Sequence, residues 1–72
     1  MNDYKERFVN EYNELKERRT KLYNMLVKYK NGMLDFEPTS SFDILMKQYI
    51  VMTEYQKTLE ERSILEAIFL EV

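Results

Sequence analysis

The sequence predicts an all-α protein, an antiparallel two-helix hairpin that assembles into a helical homo-oligomer. Two long segments carry apolar residues at three- and four-residue steps, and the single Gly and the single Pro both fall between them. The chain has 72 residues, which is the length of one domain, so we predict a single helical domain over residues 1–72. Because a domain of this size buries only about 60% of its unfolded surface, a lone hairpin gains little stability and contacts with further copies are expected.

The first helix is predicted over about residues 3–30, either straight or kinked in its first turn. Asn2 or Asp3 can cap its start, and good helix formers follow without interruption by Gly or Pro. Asn31 and Gly32 then supply a left-handed stop. One side of this helix is apolar and is predicted to face the core: Phe8, Tyr12, Leu15, Leu22, Leu26 and Tyr29.

A loop is predicted over residues 31–40, and the second helix over about 41–66. Pro38 stiffens the approach to the second helix, and Ser40 or Ser41 is suited to cap it. Helical spacing predicts an inner face formed by Phe42, Leu45, Tyr49, Met52, Tyr55, Leu59 and Leu65.

The C-terminal end, with a tail over residues 67–72, is unusually apolar for a helix terminus. Such a surface normally requires a cover, and in a chain this small the expected cover is another copy of the chain. The apolar residues concerned are Ile64, Leu65, Ala67, Ile68, Phe69, Leu70 and Val72.

Composition narrows the function classes. The chain has no Cys and no His, which excludes disulfides, thiolate nucleophiles, zinc fingers and the usual proton shuttle. We therefore expect no enzyme activity, no metal and no cofactor. The longest apolar run is far below the roughly 18 residues of a membrane span, and the N-terminus does not resemble a signal peptide, so a cytoplasmic protein without membrane association is predicted.

Charge is distributed unevenly along the chain. The net charge is −2, but residues 1–30 carry eight cations and five acids, whereas the remainder carries three cations and eight acids. A duplex DNA or RNA binder would favour a basic surface overall, so duplex nucleic acid is not the expected partner. A small anionic ligand at the basic half remains compatible with this distribution.

A polar stripe on the first helix is the best candidate for such a ligand site. An aromatic ring beside clustered cations provides what a nucleobase and a phosphate need. The two acids in the stripe would repel phosphate unless they pair with the cations or accept hydrogen bonds from a base edge. The stripe consists of Tyr4, Arg7, Glu11, Glu14, Arg18 and Lys21.

Each candidate also has a purely structural interpretation. Tyr4 could pack half-buried near the helix start, and Arg18 and Lys21 could form ion pairs or simply be solvated. Arg62 falls on the apolar face of the second helix, where a long cationic side chain often reaches past apolar neighbours to water or to a partner.

The order of these residues resembles the phage anti-CBASS cyclic-oligonucleotide sponge family, and the resemblance extends from Tyr4 through Arg62. The motifs that carry it are Tyr4-x2-Arg7, Glu11-x2-Glu14-Leu15 and Arg18-x2-Lys21-Leu22, followed by Gln48, Met52, Tyr55, Leu59 and Arg62.

This resemblance implies a non-enzymatic protein of the host-cell cytosol that captures the cyclic nucleotide signals of bacterial anti-phage immunity. Family members are small helical proteins that assemble as homohexamers and hold cyclic dinucleotides between N-terminal helices. Some also take cyclic trinucleotides at a separate site. By similarity, Tyr4 would stack on a base, and Lys21, helped by Arg18 or Arg7, would contact phosphate. Arg62 would be the cation of the second site, and Arg18 competes with Lys21 as the main phosphate contact.

A second function class stays open on the residues alone. The apolar segment Ile68-Phe69-Leu70 could dock onto a host protein, which would make the chain a small phage protein–protein interaction module.

Overall fold

A computed structural model describes residues 3–71, which form two long helices packed side by side in opposite directions. Helix α1 spans Asp3–Lys30 and helix α2 spans Phe42–Leu65. The resulting rod measures 46 × 19 × 18 Å. The all-α hairpin predicted from the sequence is confirmed. α1 is helical without interruption from Asp3, so Asp3 lies inside the helix, and Asn2, the other predicted cap, lies outside the described residues.

α1 ends in a Schellman turn, the six-residue hydrogen-bonded arrangement that often closes helices. The Met33 amide donates to the Lys28 carbonyl at 2.8 Å, and the Gly32 amide donates to the Tyr29 carbonyl at 3.1 Å. Gly32 has a φ of 67°, which a residue without a Cβ adopts at little cost. The glycine in the sequence therefore marks the end of α1.

α2 begins at Phe42 after an N-cap at Ser41, whose hydroxyl oxygen accepts a hydrogen bond from the Ile44 amide at 3.3 Å. Of the two serines proposed as caps, the second has this role. The aromatic ring of Phe42 meets Tyr29 of α1 edge-on, with ring centroids 5.5 Å apart, and this contact brings the two helices together beside the loop.

α2 ends with the same turn as α1, but without a glycine. The Ile68 amide donates to the Ser63 carbonyl at 2.8 Å, and the Ala67 amide donates to the Ile64 carbonyl at 3.3 Å. Ala67 has a φ of 55°, which an L-residue with a Cβ adopts only at a cost. The turn directs Ile68 back toward α1.

The main core lies at the end of the hairpin opposite the loop. It is formed by buried side chains from both helices and from the segment after α2: Phe8, Tyr12, Leu15, Leu59 and Ile68. Leu26 is also buried, nearer the loop.

Two residues of the predicted inner face of α2 do not lie there. Tyr55 is 43% exposed and Leu65 is 85% exposed. After Met52 the inner face continues through Gln56, Leu59 and Ser63, because helical steps of three and four select these positions. The prediction was wrong at Tyr55 and Leu65 because it followed apolar residues past positions where hydrogen-bonded polar residues face the interior.

The apolar tail was predicted to need cover from another copy, and part of it is covered within the chain. Ile68 belongs to the core and Leu70 packs against it, whereas Phe69 is 83% exposed. Val72 lies outside the described residues. Neither described helix combines the length and apolar character required to cross a membrane.

Candidate functional site

Three polar side chains close the hairpin at the end away from the loop. Arg62 donates from Nη2 to the Tyr4 hydroxyl at 2.7 Å and from Nε to Glu66 Oε2 at 3.0 Å. The Tyr4 hydroxyl in turn donates to Glu66 Oε1. Tyr4, Arg62 and Glu66, which we call the end cluster, thus form a ring of hydrogen bonds between the start of α1 and the end of α2.

A shallow cleft of about 270 Å³ opens beside the end cluster. Its lining combines an aromatic surface, two arginines and one acid: Tyr4, Arg7, Phe8, Glu11 and Arg62. The Arg62 guanidinium carbon lies 5.0 Å from the centre of the Phe8 ring, a cation–π distance. Because Phe8 is buried in the core, its ring forms a fixed support for the arginine. The cleft therefore offers a placed cation beside the 45% exposed ring of Tyr4.

The hydrogen bonds of the end cluster shift the pKa of each of its members. The hydrogen bond from Tyr4, followed by that from Arg62, lowers the pKa of Glu66. The bond to Glu66 is also the main reason why the pKa of Tyr4 is raised and the pKa of Arg62 is raised. All three shifts favour a neutral Tyr4 between a charged arginine and a charged carboxylate.

A second polar network joins the two helices. The buried Tyr12 hydroxyl donates to Glu60 Oε2 at 2.7 Å, and Gln56 Nε2 donates to the same carboxylate oxygen at 3.3 Å. Burial, followed by the bond to Glu60, raises the pKa of Tyr12. Tyr12 therefore anchors α1 to α2 one turn beyond Phe8.

Arg18 and Lys21 lie elsewhere on α1. Arg18 pairs with Glu14 at 3.7 Å and Lys21 pairs with Glu17 at 3.0 Å, and all four side chains are about two-thirds exposed or more. Fourteen residues separate Arg18 from Tyr4, which corresponds to about 21 Å along the helix. We call these two cations and their glutamates the exposed stripe.

Lys21 also borders a different cleft, of about 420 Å³, beside the loop. The cleft contains a second lysine, an acid and several apolar side chains, and its lining is Lys21, Asn24, Met25, Lys28, Met33, Leu34, Asp35 and Phe36. Lys21 thus belongs to the loop end of the hairpin in the single chain.

The neighbouring Arg19 connects the helices. Its Nε donates to the Thr53 hydroxyl at 2.8 Å, its Nη2 donates to the Tyr49 hydroxyl at 2.9 Å, and its guanidinium carbon lies 4.8 Å from the Tyr49 ring centre. Of these two adjacent arginines, Arg18 therefore faces solvent and Arg19 lies in the helix interface.

The structure brings together three of the five predicted ligand-binding residues, Tyr4, Arg7 and Arg62. The resemblance implies a separate second site for Arg62, but in the single chain Arg62 donates a hydrogen bond to the Tyr4 hydroxyl. Sequence reasoning did not single out Glu66 as part of the site. The four-residue spacing between Arg62 and Glu66 was the available signal. Whether any of the five binds a ligand stays a prediction.

Comparison with known proteins identifies one family. No curated protein and no solved structure matches this sequence. A family model described as Sequestin matches residues 2–64, which is most of the chain. The chain belongs to the Sequestin family.

Proposed function

We propose that this protein is a non-enzymatic sponge that binds cyclic oligonucleotide immune signals, cyclic dinucleotides first, and keeps them from their effectors. The observation that carries the proposal is the cleft in which the exposed Tyr4 ring lies beside Arg62 and Arg7. An aromatic face stacks on any base, and arginine forms charge-assisted hydrogen bonds with phosphate. The family name, Sequestin, agrees with sequestration.

The size of the cleft supports a binding site shared between chains. At about 270 Å³ it is smaller than the roughly 300–1,000 Å³ of pockets that enclose drug-sized ligands. A cyclic dinucleotide has two bases and two phosphates in a nearly two-fold arrangement. Two chains related by a two-fold axis would each offer one tyrosine and its arginines to this ligand.

A shared site also gives Arg18 and Lys21 a route to the ligand. About 21 Å of helix separates Arg18 from Tyr4 within one chain, so these cations reach the same phosphate only when a second chain supplies them. The exposed apolar residues support such association, since Ile64, Leu65 and Phe69 are each at least 80% exposed. We propose the homohexamer that the sponge resemblance implies, acting in the host cytosol during phage infection, with cyclic trinucleotides as a further ligand class.

The protonation states of the end cluster support binding without catalysis. General acid–base catalysis needs groups with pKa values near neutral. The pKa of Glu66 is lowered and the pKa of Tyr4 is raised, so both move away from that range. The sequence has no His or Cys to replace them. The ligand is therefore expected to leave the protein chemically intact.

Calorimetry and thermal shift with a panel of cyclic dinucleotides and trinucleotides test the proposal. A ligand at a hundredfold excess over its dissociation constant adds about 2.7 kcal/mol of apparent stability. Linear dinucleotides of the same bases are the matched control. The absence of a shift with every cyclic ligand would refute the sponge, and recovery of linear products after denaturing the complex would refute the non-enzymatic mechanism.

The exposed apolar end favours one alternative, a helical interaction module that docks onto a host protein. Ile64, Leu65 and Phe69 are exposed apolar side chains at this end, and Ile64 and Phe69 line one cleft that a partner could fill. Ile68, which the sequence offered for this role, is buried in the core and is not available. Tyr4→Ala, which changes the cleft and leaves the apolar end intact, should leave host-protein binding unchanged under this alternative and weaken cyclic dinucleotide binding under the sponge proposal.

A further inference from the structure

The Glu66 carboxylate accepts hydrogen bonds from the polar groups of both Arg62 and Tyr4. Its Oε2 accepts from Arg62 Nε at 3.0 Å and its Oε1 accepts from the Tyr4 hydroxyl. A carboxylate and a phosphate accept hydrogen bonds from the same donors with similar geometry. The unliganded chain thus presents its own anion to the arginine that borders the cleft.

The backbone holds Glu66 in this position. Glu66 is the C-cap of α2, and its amide donates to the Arg62 carbonyl at 2.8 Å. The next residues form the Schellman turn, which places Ile68 in the core. Lys5 of α1 donates to the Ala67 carbonyl at 3.4 Å and adds a contact from the other helix. The carboxylate can leave Arg62 by side-chain rotation alone, while the turn and Ile68 stay in place.

We infer that Glu66 is an internal anion that a ligand phosphate must displace from Arg62. This inference rests on the proposed function, because it concerns the same cleft. A neutral ligand, or one with a single weakly held anionic group, gains nothing by replacing a carboxylate that is already well placed. A ligand that also stacks a base on Tyr4 has the additional contact needed to compete. The cost of displacing Glu66 is the same for every anion, so a simple anion is held too weakly to bind, whereas a nucleotide that also stacks on Tyr4 stays bound.

The test compares Glu66→Gln with Glu61→Gln. Glutamine keeps the size of Glu66 and an oxygen that can accept from Arg62, while it removes the charge and replaces the second acceptor oxygen with an NH2 donor. Glu61 is an exposed acid next to Arg62 in sequence, so its substitution removes the same charge and leaves the Glu66 carboxylate beside the arginine. Binding of inorganic phosphate and of cyclic di-AMP is followed through the Arg62 Nε–H resonance by NMR titration.

We expect Glu66→Gln to bind both probes about two- to fivefold more tightly than Glu61→Gln does. The factor is small because the Arg62–Glu66 ion pair, which the ligand no longer has to break, is partly exposed. In an Arg62→Ala background, where phosphate and cyclic di-AMP are followed by calorimetry, the two glutamine substitutions should have equal effects. Equal affinities of Glu66→Gln and Glu61→Gln for phosphate, or no Arg62 response in Glu66→Gln, would overturn the inference.

The two probes separate this inference from the proposed function. Tighter phosphate binding by Glu66→Gln, with no cyclic di-AMP or other cyclic dinucleotide binding by any variant, would retain the internal anion and reject the sponge. Cyclic di-AMP binding that is equally tight in wild type, Glu66→Gln and Glu61→Gln would retain the sponge and reject the internal anion.

Discussion

The end cluster and the exposed stripe both contain arginine–glutamate pairs four residues apart on a helix, but their surroundings differ. In the exposed stripe, Arg18 lies 3.7 Å from Glu14, and both side chains are largely in water. In the end cluster, Arg62 lies 3.0 Å from Glu66, and it also contacts Tyr4 and Phe8 of the other helix.

Sequence order alone predicts that Glu14–Arg18 is the more favourable of the two ion pairs. Glutamate preceding its basic partner by four residues is the favourable arrangement in an isolated helix, and Glu14–Arg18 has it whereas Arg62–Glu66 has the reverse. The better-defined contact is nevertheless the second. An arginine–glutamate pair thus becomes a candidate site when a second helix supplies further partners to it, here the Tyr4 hydroxyl and the Phe8 ring.

The largest expected effect is a difference in the free energy of unfolding between a substitution beside the end cluster and one in the exposed stripe. Phe8→Ala should destabilise the fold by about 3–5 kcal/mol, because Phe8 is 4% exposed and its loss leaves a cavity in a small core. Arg18→Ala, as the control in the exposed stripe, should change stability by no more than about 0.5 kcal/mol. Urea unfolding measures both, and equal losses would contradict the placement of the core at the end cluster.

The next effect concerns ligand binding. Tyr4→Ala should weaken a bound cyclic dinucleotide by at least about tenfold, since one stacked ring per chain is lost. Tyr4→Phe keeps the ring and removes the hydroxyl, so it should retain most of the affinity. Tyr23→Ala removes an exposed tyrosine that does not line the cleft and serves as a second control. Calorimetry that finds all three variants alike would show that Tyr4 is scaffold.

A smaller effect tests the turn that positions Glu66. Ala67→Gly should stabilise the fold by roughly 0.5–1 kcal/mol, because glycine adopts the positive φ of this position without the cost that a Cβ imposes. Gly32→Ala is the matched reverse change at the end of α1. No atom lies within 4 Å of the Cβ it would add, so backbone strain alone should make it destabilising by about as much. Thermal unfolding that gives both changes the same sign would contradict the two matching turns.

The smallest effect is a pH dependence. The pKa of Glu66 is lowered in the folded chain, so its ion pair stabilises the fold above the pKa of an unfolded glutamate and is lost as pH falls through the folded value. Between about pH 5 and pH 3, wild type should lose more stability than Glu66→Gln. The groups that face the Glu66 carboxylate are Tyr4 and Arg62. Lys5 is close by as well, since it donates to the carbonyl of the adjacent Ala67.

Glu14→Gln, in the exposed stripe, is the control for this measurement. Its stability curve over the same pH range should follow that of wild type, because its pair with Arg18 is largely solvated. A parallel course for wild type and Glu66→Gln would mean that the contact of Glu66 with Arg62 contributes nothing to the folded state in solution.

Local chemistry determined the features that sequence analysis found. Gly32 ends α1 because a left-handed residue there costs little without a Cβ, and Ser41 caps α2 because its hydroxyl can satisfy a free amide. The apolar steps of α1 identified Phe8, Tyr12, Leu15 and Leu26, all of which are buried. Each of these features depends on residues within about two helical turns, which the sequence displays directly.

Only the packing of the two helices decided the rest. Whether Gln56 or Tyr55 faces α1 depends on the rotation of α2, and in the observed rotation Leu59 enters the core and Glu60 accepts a hydrogen bond from Tyr12. The contact between Tyr4 and Glu66 joins residues 62 positions apart, and the left-handed turn at Ala67 is stable because it places Ile68 in the core. The sequence could show that Arg62 and Glu66 share a helix face, but the aromatic partners that make them a site come from the other helix, since a pattern along one helix carries no information about what packs against it.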